Sequence, residues 1–258
     1  MDEVKLSFAP PTALLTLNRP EVRNALSPDL VRSFEAALDQ VLSRDDVAVI
    51  VTGEGRAFCG GADLSVLRDM TAQSSEEARQ DSKRLMNFFR RIYEFPKPVI
   101  AAVNGPAVGG GCGLASVCDI VLAVEDAVFG YTESRVGFIP ALVAVFLVRI
   151  CGEKKARELL LTARMFSAVE AKDIGLVNDI VPKESLLPKA RELAEAISQN
   201  SPTAVTFTKE LIRDLYGLNL NEALTSALQL NALIRTTEDF KEGVSSFLEK
   251  RRPEWKRR

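Results

Sequence analysis

The distribution of apolar residues predicts buried strands alternating with amphipathic helices over about the first 180 residues. Two runs, VAVIVT at 47–52 and VIAAV at 99–103, are apolar without alternation, which is typical of strands covered on both faces. Between them, apolar residues recur at helical spacing over 28–43, after a Ser27–Pro28 pair that is typical of a helix start. This order of elements predicts an α/β core. Further strands are predicted at 13–17, 119–124, 128–130 and 176–181.

The later part of the chain is predicted to be helical. Helical spacing marks a segment ending at Tyr93 and the segments 154–163 and 167–175. From about residue 183 the pattern is helical almost throughout, with a new start at Ser201–Pro202. The stretch 65–82 is polar and weakly patterned, and we expect a mobile connection there.

Composition and charge exclude several classes of protein. With 258 residues, 47% of them hydrophobic, the chain can bury a large core. Its formal net charge of −2 gives no overall attraction to nucleic acid, and no apolar run approaches the length of about 18 residues that a membrane span needs. The N-terminus lacks the features of a signal peptide, and the four cysteines fit no zinc spacing. We therefore expect a cytoplasmic protein with reduced thiols, no membrane partner and no nucleic-acid partner.

The sequence contains no histidine. This absence removes Ser–His and Cys–His nucleophilic catalysis and every histidine-ligated metal site, and we expect no metal. Acid–base chemistry must therefore use carboxylates, lysine, tyrosine, cysteine or a group of the substrate itself.

The segment NGPAVGGGCGLASVCD at 104–119 is rich in glycine where a helix-like pattern begins. Its glycines are at 105, 109, 110, 111 and 113. A P-loop would need a Gly-Lys pair, which the chain lacks, and a GxGxxG pattern would need glycine in place of Leu114. We therefore predict that a ligand lies against bare backbone here, with N–H groups at a helix start directed toward negative charge.

An earlier segment, AFCGGAD at 57–63, repeats this arrangement of strand, glycine pair and helix start. In chain order it is the first glycine turn, and the turn at 104–111 is the second. Two such turns together could supply two backbone N–H donors to a carbonyl oxygen that becomes negative during a reaction, an arrangement called an oxyanion hole. Asp63 is predicted to cap a helix, and Cys112 to be a small buried residue rather than a nucleophile.

Five motifs, in sequence order, resemble those of the crotonase superfamily of enoyl-CoA hydratases and isomerases. They are NRPEVRNALS, GRAFCGGADL, NGPAVGGGCGLASVCD, FGYTESRVGFIP and FLEKRRPEWK. The resemblance implies an α/β, crotonase-like spiral of ββα units over residues 1–195 and a helical trimerisation region over 196–258. It also implies an acyl-CoA thioester substrate, with coenzyme A as part of the substrate and no separate cofactor, and a homotrimer or a hexamer formed by two trimers.

The same resemblance implies which residues form the site. The thioester oxygen is expected between the N–H groups of Ala62 and Gly110, which stabilise an enolate, and Glu133 is expected to exchange the proton at Cα. Contacts with coenzyme A are implied for Val22, Arg23, Ala62, Leu64, Gly110, Phe247 and Lys250, the last two often on a neighbouring subunit. A surface position for Arg23 and a solvated tail at KRRPEWKRR are the alternatives.

The chain departs from the two-glutamate pattern of the hydratases, because Gly113 stands where the first glutamate would be. Its run GYTESRVGFIPALVAVFLVR resembles a single-glutamate branch that includes methylglutaconyl-CoA hydratase-like proteins more than the IPGAGGTQRL type. We therefore expect a hydratase that adds water to a 2-enoyl-CoA. The alternatives are a 3-enoyl to 2-enoyl-CoA isomerase and, behind it, an inactive scaffold or an RNA-binding member. Burial among Phe129, Tyr131 and Phe138 is expected to raise the pKa of Glu133.

Overall fold

The predicted buried strands form the centre of a six-stranded sheet in a computed structural model, which describes residues 2–44 and 48–255 except for the side chain of Leu64. From one edge to the other, the strands are β1 (Val4–Ala9), β2 (Thr12–Leu17), β3 (Ala48–Gly53), β4 (Val99–Val103), β6 (Ile120–Val124) and β9 (Asp179–Val181). β1 and β2 form an antiparallel hairpin, and the other neighbours are parallel. All residues of β3 and β4 are buried, as expected of apolar runs without alternation, while Val47 of the predicted run lies outside the described residues.

Helices follow most of the strands. Within the described ranges they are α1 (Pro28–Leu42), α2 (Leu64–Met70), α3 (Ser75–Tyr93), α4 (Gly110–Ser116), α5 (Ala141–Thr162), α6 (Ala168–Asp173), α7 (Leu186–Ser198), α8 (Pro202–Leu215), α9 (Leu220–Ile234) and α10 (Glu238–Glu249). The predicted helix over 28–43 is confirmed as α1, where the Ser27 hydroxyl oxygen accepts the N–H of Leu30 at 3.0 Å. In those same ranges no helix has both the length and the apolar character that crossing a membrane requires.

A second sheet carries two segments that the resemblance places in the site. Its strands are β5 (Ala107–Val108), β7 (Val128–Gly130) and β8 (Met165–Ser167), and β5 is parallel to β7. β5 leads into α4, and β7 leads into a 3-10 turn over Glu133–Val136. Because parallel strands end at the same edge of a sheet, the glycine-rich turn and Glu133 emerge side by side.

Two helical segments differ from their predictions. The polar stretch 65–82, predicted as a mobile connection, is largely helical, in α2 and α3. The start of α3 is fixed by a capping box between Ser74 and Glu77. This signal consists of polar residues, so a search for apolar residues at helical spacing does not detect it. α5 begins at Ala141 rather than at 154, and Gly152, with φ 74°, interrupts its helical backbone.

The C-terminal helices divide into one that covers the main sheet and three that follow it. α7 buries Leu186, Ala190 and Ala194 and contacts β3, β4 and β6. The predicted boundary after residue 195 therefore falls inside this helix. α8 begins after Ser201, whose hydroxyl oxygen accepts the N–H of Ala204, as the sequence predicts.

A partly buried ion pair attaches the C-terminal helices to the main sheet. Lys209 of α8 donates to Asp119 Oδ2 at 2.7 Å and to the carbonyl oxygen of Lys97 at 3.3 Å. The same carboxylate oxygen accepts the N–H of Val99 at 2.7 Å. Burial raises the pKa of Asp119, and the charge of Lys209 opposes that effect. The lysine therefore offsets the cost of burying an ionised carboxylate.

Replacing Lys209→Met is expected to leave the partly buried Asp119 carboxylate without its cation. We expect a loss of about 2 kcal/mol, between the values for exposed and buried pairs, and a fall in Tm of roughly 4–8 °C. The loss should shrink in acid, because protonation of Asp119, whose pKa is raised, removes the buried charge.

The control is Lys241→Met, which breaks an exposed pair with Glu238. Thermal unfolding followed by circular dichroism at pH 7 and pH 5 measures both variants. Equal losses in the two variants would contradict the role assigned to Lys209.

Candidate active site

The two glycine turns predicted from the sequence pack backbone against backbone. Cys59 donates its N–H to the carbonyl oxygen of Pro106 at 3.2 Å and accepts the N–H of Val108 at 3.0 Å. Gly61 lies beyond this bridge with φ 93°, and a Cβ added there would lie 2.8 Å from the carbonyl oxygen of Val108. Only glycine combines this backbone conformation with this approach. The structure thus brings the two turns into direct contact.

The N–H of Ala62 is directed away from the chain segment that flanks it. Leu26 donates to the carbonyl oxygen of Gly61 at 2.6 Å and accepts the N–H of Asp63 at 3.0 Å, forming a parallel bridge with Ala62. In such a bridge Leu26 bonds only with the residues on either side of Ala62, namely Gly61 and Asp63. The N–H of Ala62 itself therefore points to the opposite side, away from Leu26. Ala62 is also exposed, which leaves this N–H accessible to a ligand.

Gly110 is the first residue of α4, and its N–H also has no acceptor inside that helix. The first hydrogen bond of the helix joins the N–H of Gly113 to the carbonyl oxygen of Gly109 at 3.0 Å. The first N–H groups of a helix have no intrahelical partner. Gly109 precedes the helix with φ 54° and ψ −124°, a conformation that favours glycine, and it turns the backbone into α4.

The Glu133 carboxylate lies against the same turn. A Cβ added at Gly109 would be 3.1 Å from Glu133 Oε1. Among the described residues, Glu133 Oε2 is the buried side-chain oxygen that has no hydrogen-bond partner. Burial raises the pKa of Glu133 above its ordinary value, in the direction predicted. A carboxylate with a raised pKa and an unused acceptor is suited to accept and return a proton.

The aromatic surroundings predicted for Glu133 are only partly present. Phe129 and Tyr131 are completely buried, and the Tyr131 hydroxyl is 2.8 Å from that of Ser116 in α4. Phe138 donates its N–H to the carbonyl oxygen of Glu133 at 3.1 Å, but its side chain is 50% exposed, so the burial expected of it is not found. Gly137, with φ 75°, ends the 3-10 turn in the left-handed region and directs the following residue toward solvent.

An arginine that the sequence analysis did not single out holds the start of α2. Asp63 caps that helix, as predicted, by accepting the N–H of Ser65 at 2.9 Å. Arg19 lies 2.8 Å from the other oxygen of Asp63 and donates to the carbonyl oxygen of Ala25 at 2.8 Å. Hydrogen bonds from Ser65, with the charge of Arg19, hold the pKa of Asp63 below its ordinary value. Asp63 is therefore an ionised structural residue.

Asn24 joins the NRPEVRNALS loop to the first glycine turn. It is completely buried and donates to the carbonyl oxygens of Glu54 at 3.0 Å and Ala57 at 2.9 Å, while its own side-chain oxygen accepts the N–H of Arg19. A buried amide with all these partners fixes the loop against the turn. Asn24 is one of several polar residues in this motif, so no local pattern in the sequence distinguishes it.

The residues predicted to contact coenzyme A fall into two groups. Val22 and Arg23 are exposed beside the first glycine turn, where the carbonyl oxygen of Arg23 accepts the N–H of Gly60 at 2.8 Å. Leu64 is the first residue of α2, and its side chain lies outside the described parts of the chain. Phe247, 82% exposed, lines a groove of about 420 Å³ with Ala204 and Trp255, among others, and Lys250 ends α10. The second group thus lies on the C-terminal helices rather than at the glycine turns.

The two thiols beside the turns are not suited to nucleophilic attack. Burial raises the pKa of Cys59 and of Cys112 to about 12. A thiol with such a pKa is protonated at neutral pH, and the thiolate is the reactive form. This agrees with the prediction that Cys112 is a small buried residue.

Comparisons of the sequence and of the fold with known proteins point to one family over nearly the whole chain. The model of the enoyl-CoA hydratase/isomerase family matches residues 11–258. A candidate enoyl-CoA hydratase of Thermus thermophilus is 49% identical over 93% of this chain and 96% of its own length. The 2,3-dehydroadipyl-CoA hydratase of Escherichia coli is 36% identical over the full length of both chains. The crystal structure of an enoyl-CoA hydratase from Bacillus anthracis superimposes with a TM-score of 0.91 and 35% identity, covering 99% of this chain and 100% of that one. The chain belongs to the enoyl-CoA hydratase/isomerase family, in the crotonase superfamily, and has its α/β fold with a helical C-terminal region.

Proposed function

We propose that the protein is an enoyl-CoA hydratase that adds water across the C2–C3 double bond of a 2-enoyl-CoA thioester, with Glu133 as its acid–base group. The observation that carries this proposal is the partly buried Glu133 carboxylate, which has one unpartnered oxygen and lies against the Gly109–Gly110 turn. Family membership supplies the substrate class, since the family is that of enoyl-CoA hydratases and isomerases.

The backbone donors of the two turns stabilise the charge that forms during hydration. The thioester oxygen lies between the N–H groups of Ala62 and Gly110, and it becomes negative when the oxygen of water bonds to C3. Each such donor is worth about 3 kcal/mol at the transition state. The contact of Gly61 with Val108 supports this assignment, because it holds the two donors on adjacent segments.

Glu133 moves the protons of the added water. As the oxygen of water bonds to C3, the Glu133 carboxylate accepts a proton from that water, and the electrons of the double bond pass to the thioester as an enolate. The protonated Glu133 then gives the proton to C2, which restores the thioester carbonyl. One carboxylate is thus sufficient for both transfers, and its raised pKa suits both the acceptance and the return.

Relatives favour hydration over the isomerase alternative. An isomerase would use the same carboxylate to move a proton between C2 and C4. The Escherichia coli relative is a 2,3-dehydroadipyl-CoA hydratase, and the relative from Thermus thermophilus is also classed with the hydratases. An ultraviolet assay of crotonyl-CoA, 3-methylglutaconyl-CoA and a 3-enoyl-CoA in parallel distinguishes hydratase, branched-chain hydratase and isomerase. Lack of turnover with all three would contradict the proposal.

The coenzyme A part of the substrate is placed between two subunits. Val22, Arg23 and the start of α2 lie beside the first glycine turn, whereas Phe247 and Lys250 are at the end of α10. We assign the second pair to the coenzyme A of a neighbouring subunit. A cytoplasmic location of the protein stays a prediction from its sequence.

The expected assembly is a homotrimer or two trimers joined as a hexamer. Leu220, Leu224 and Leu228 of α9 recur every four residues and are 74%, 60% and 68% exposed, which forms an apolar stripe along one helix face. Sedimentation at micromolar concentration is expected to show species of three or six chains. A single-chain species under those conditions would refute the assembly and with it the shared coenzyme A site.

Replacing Gly110→Pro is expected to lower kcat by roughly 10²–10³-fold, because proline removes one donor to the thioester oxygen. Proline fits the first position of a helix, and a Cβ at 110 would meet the end of the Leu26 side chain at 3.0 Å. Gly110→Ala is the matched control, since it adds the same Cβ but keeps the N–H. Full activity in a folded Gly110→Pro protein would disprove the role of this N–H.

Replacing Glu133→Gln is expected to lower kcat by about two to four orders of magnitude with little change in KM, since the amide keeps the size but not the basicity. In the unmodified protein, kcat/KM should fall in acid with a midpoint above the ordinary pKa of a glutamate, because Glu133 must be ionised to accept the proton. Stopped assays across pH 4–9 measure both effects. Glu125→Gln, an exposed residue between β6 and β7, is the control, and undiminished turnover in Glu133→Gln would overturn the mechanism.

A further inference from the structure

Two glycine positions around the start of α4 are covered by different side chains. Gly109 directly precedes the helix, and Gly113 lies within it. The Glu133 carboxylate lies against Gly109, and Val143 of α5 lies against Gly113. A Cβ added at Gly113 would overlap Val143 Cγ1 and lie 3.0 Å from Val143 Cβ.

Val143 is poorly placed to move out of the way of such a Cβ. It is 3% exposed and lies in the first turn of α5. A β-branched residue in a helix has essentially one favourable χ1 rotamer, so its methyl groups cannot swing aside without strain. Phe89, 1% exposed, closes the same position from α3, since its Cζ would lie 3.5 Å from the added Cβ.

We infer that Val143 is a specificity-determining residue that closes position 113 to any side chain and thereby restricts the site to the single carboxylate of Glu133. This inference rests on the proposed function for its chemistry and on the packing of α4 against α5 for its geometry. By the resemblance, an acidic side chain at 113 would be the first glutamate of the two-glutamate pattern.

The consequence for the reaction is that position 113 supplies no second carboxylate to share the water with Glu133. Both proton transfers pass through one group, and the acid side of the pH profile follows one ionisation. Adding a carboxylate at 113 without removing Val143 should therefore disrupt the packing rather than supply a second acid–base group.

A double-mutant cycle, measured by thermal unfolding, tests the packing without any substrate. The variants are Gly113→Ala, Val143→Gly and the double substitution. Glycine to alanine inside a helix is ordinarily favourable, so a fall in Tm of roughly 3–10 °C in Gly113→Ala would report the overlap with Val143. In the Val143→Gly background the same substitution should leave Tm unchanged or raise it. Additive changes in Tm would overturn the inference.

A second comparison tests the effect on chemistry. Gly113→Glu combined with Val143→Gly should hydrate crotonyl-CoA at least ten times faster than the matched Gly113→Gln combined with Val143→Gly, and its pH profile of kcat/KM should show a second ionisation. Identical rates and profiles in these two variants would also overturn the inference. If the unmodified protein hydrates no enoyl-CoA, the proposed function fails, and the double-mutant cycle still decides whether Val143 closes position 113.

Discussion

The contact of two backbone segments without intervening side chains is the constraint on which the candidate site depends. The carbonyl oxygen of Val108 would lie only 2.8 Å from a Cβ at position 61, so any other residue there would push the segments apart. The N–H groups of Ala62 and Gly110 follow directly on these two segments. Hydrogen bonds depend steeply on distance and angle, and a shift of an ångström at this contact would separate donors that must meet one oxygen atom.

Buried strands and a hydrogen-bonded loop hold this contact in place. Both turns follow strands of the main sheet that are buried on both faces, β3 and β4, so neither turn can move without disturbing the core. The loop before α1 is held against the first turn by hydrogen bonds from the buried Asn24 amide to the carbonyl oxygens of Glu54 and Ala57, and by the ion pair of Arg19 with Asp63. The third component, Glu133, is placed by β7, which pairs with β5, the short strand directly before Gly109.

Features that a single segment determines could be predicted from the sequence, and features that depend on packing between segments could not. The buried strands and the caps at Ser27 and Asp63 follow from local composition, and both were found. The glycine turns and Glu133 were identified because their motifs resemble a family. The contact of Gly113 with Val143 joins residues on two helices, and no local pattern reports it. The exposure of Phe138 likewise depends on the left-handed turn at Gly137, which the apolar pattern does not register.

Because Glu133 is partly buried, the protonation state that favours folding differs from the one that the reaction needs. Because its pKa is higher in the folded chain than in an unfolded one, folding favours the protonated form. The resulting gain in stability is complete below the unfolded pKa and is lost as pH rises through the folded pKa. The ionised form, which accepts a proton, is the form that the folded chain tolerates least. A protein built in this way gives up some resistance to unfolding at the pH at which it works, and binding of a substrate that satisfies the carboxylate would restore it.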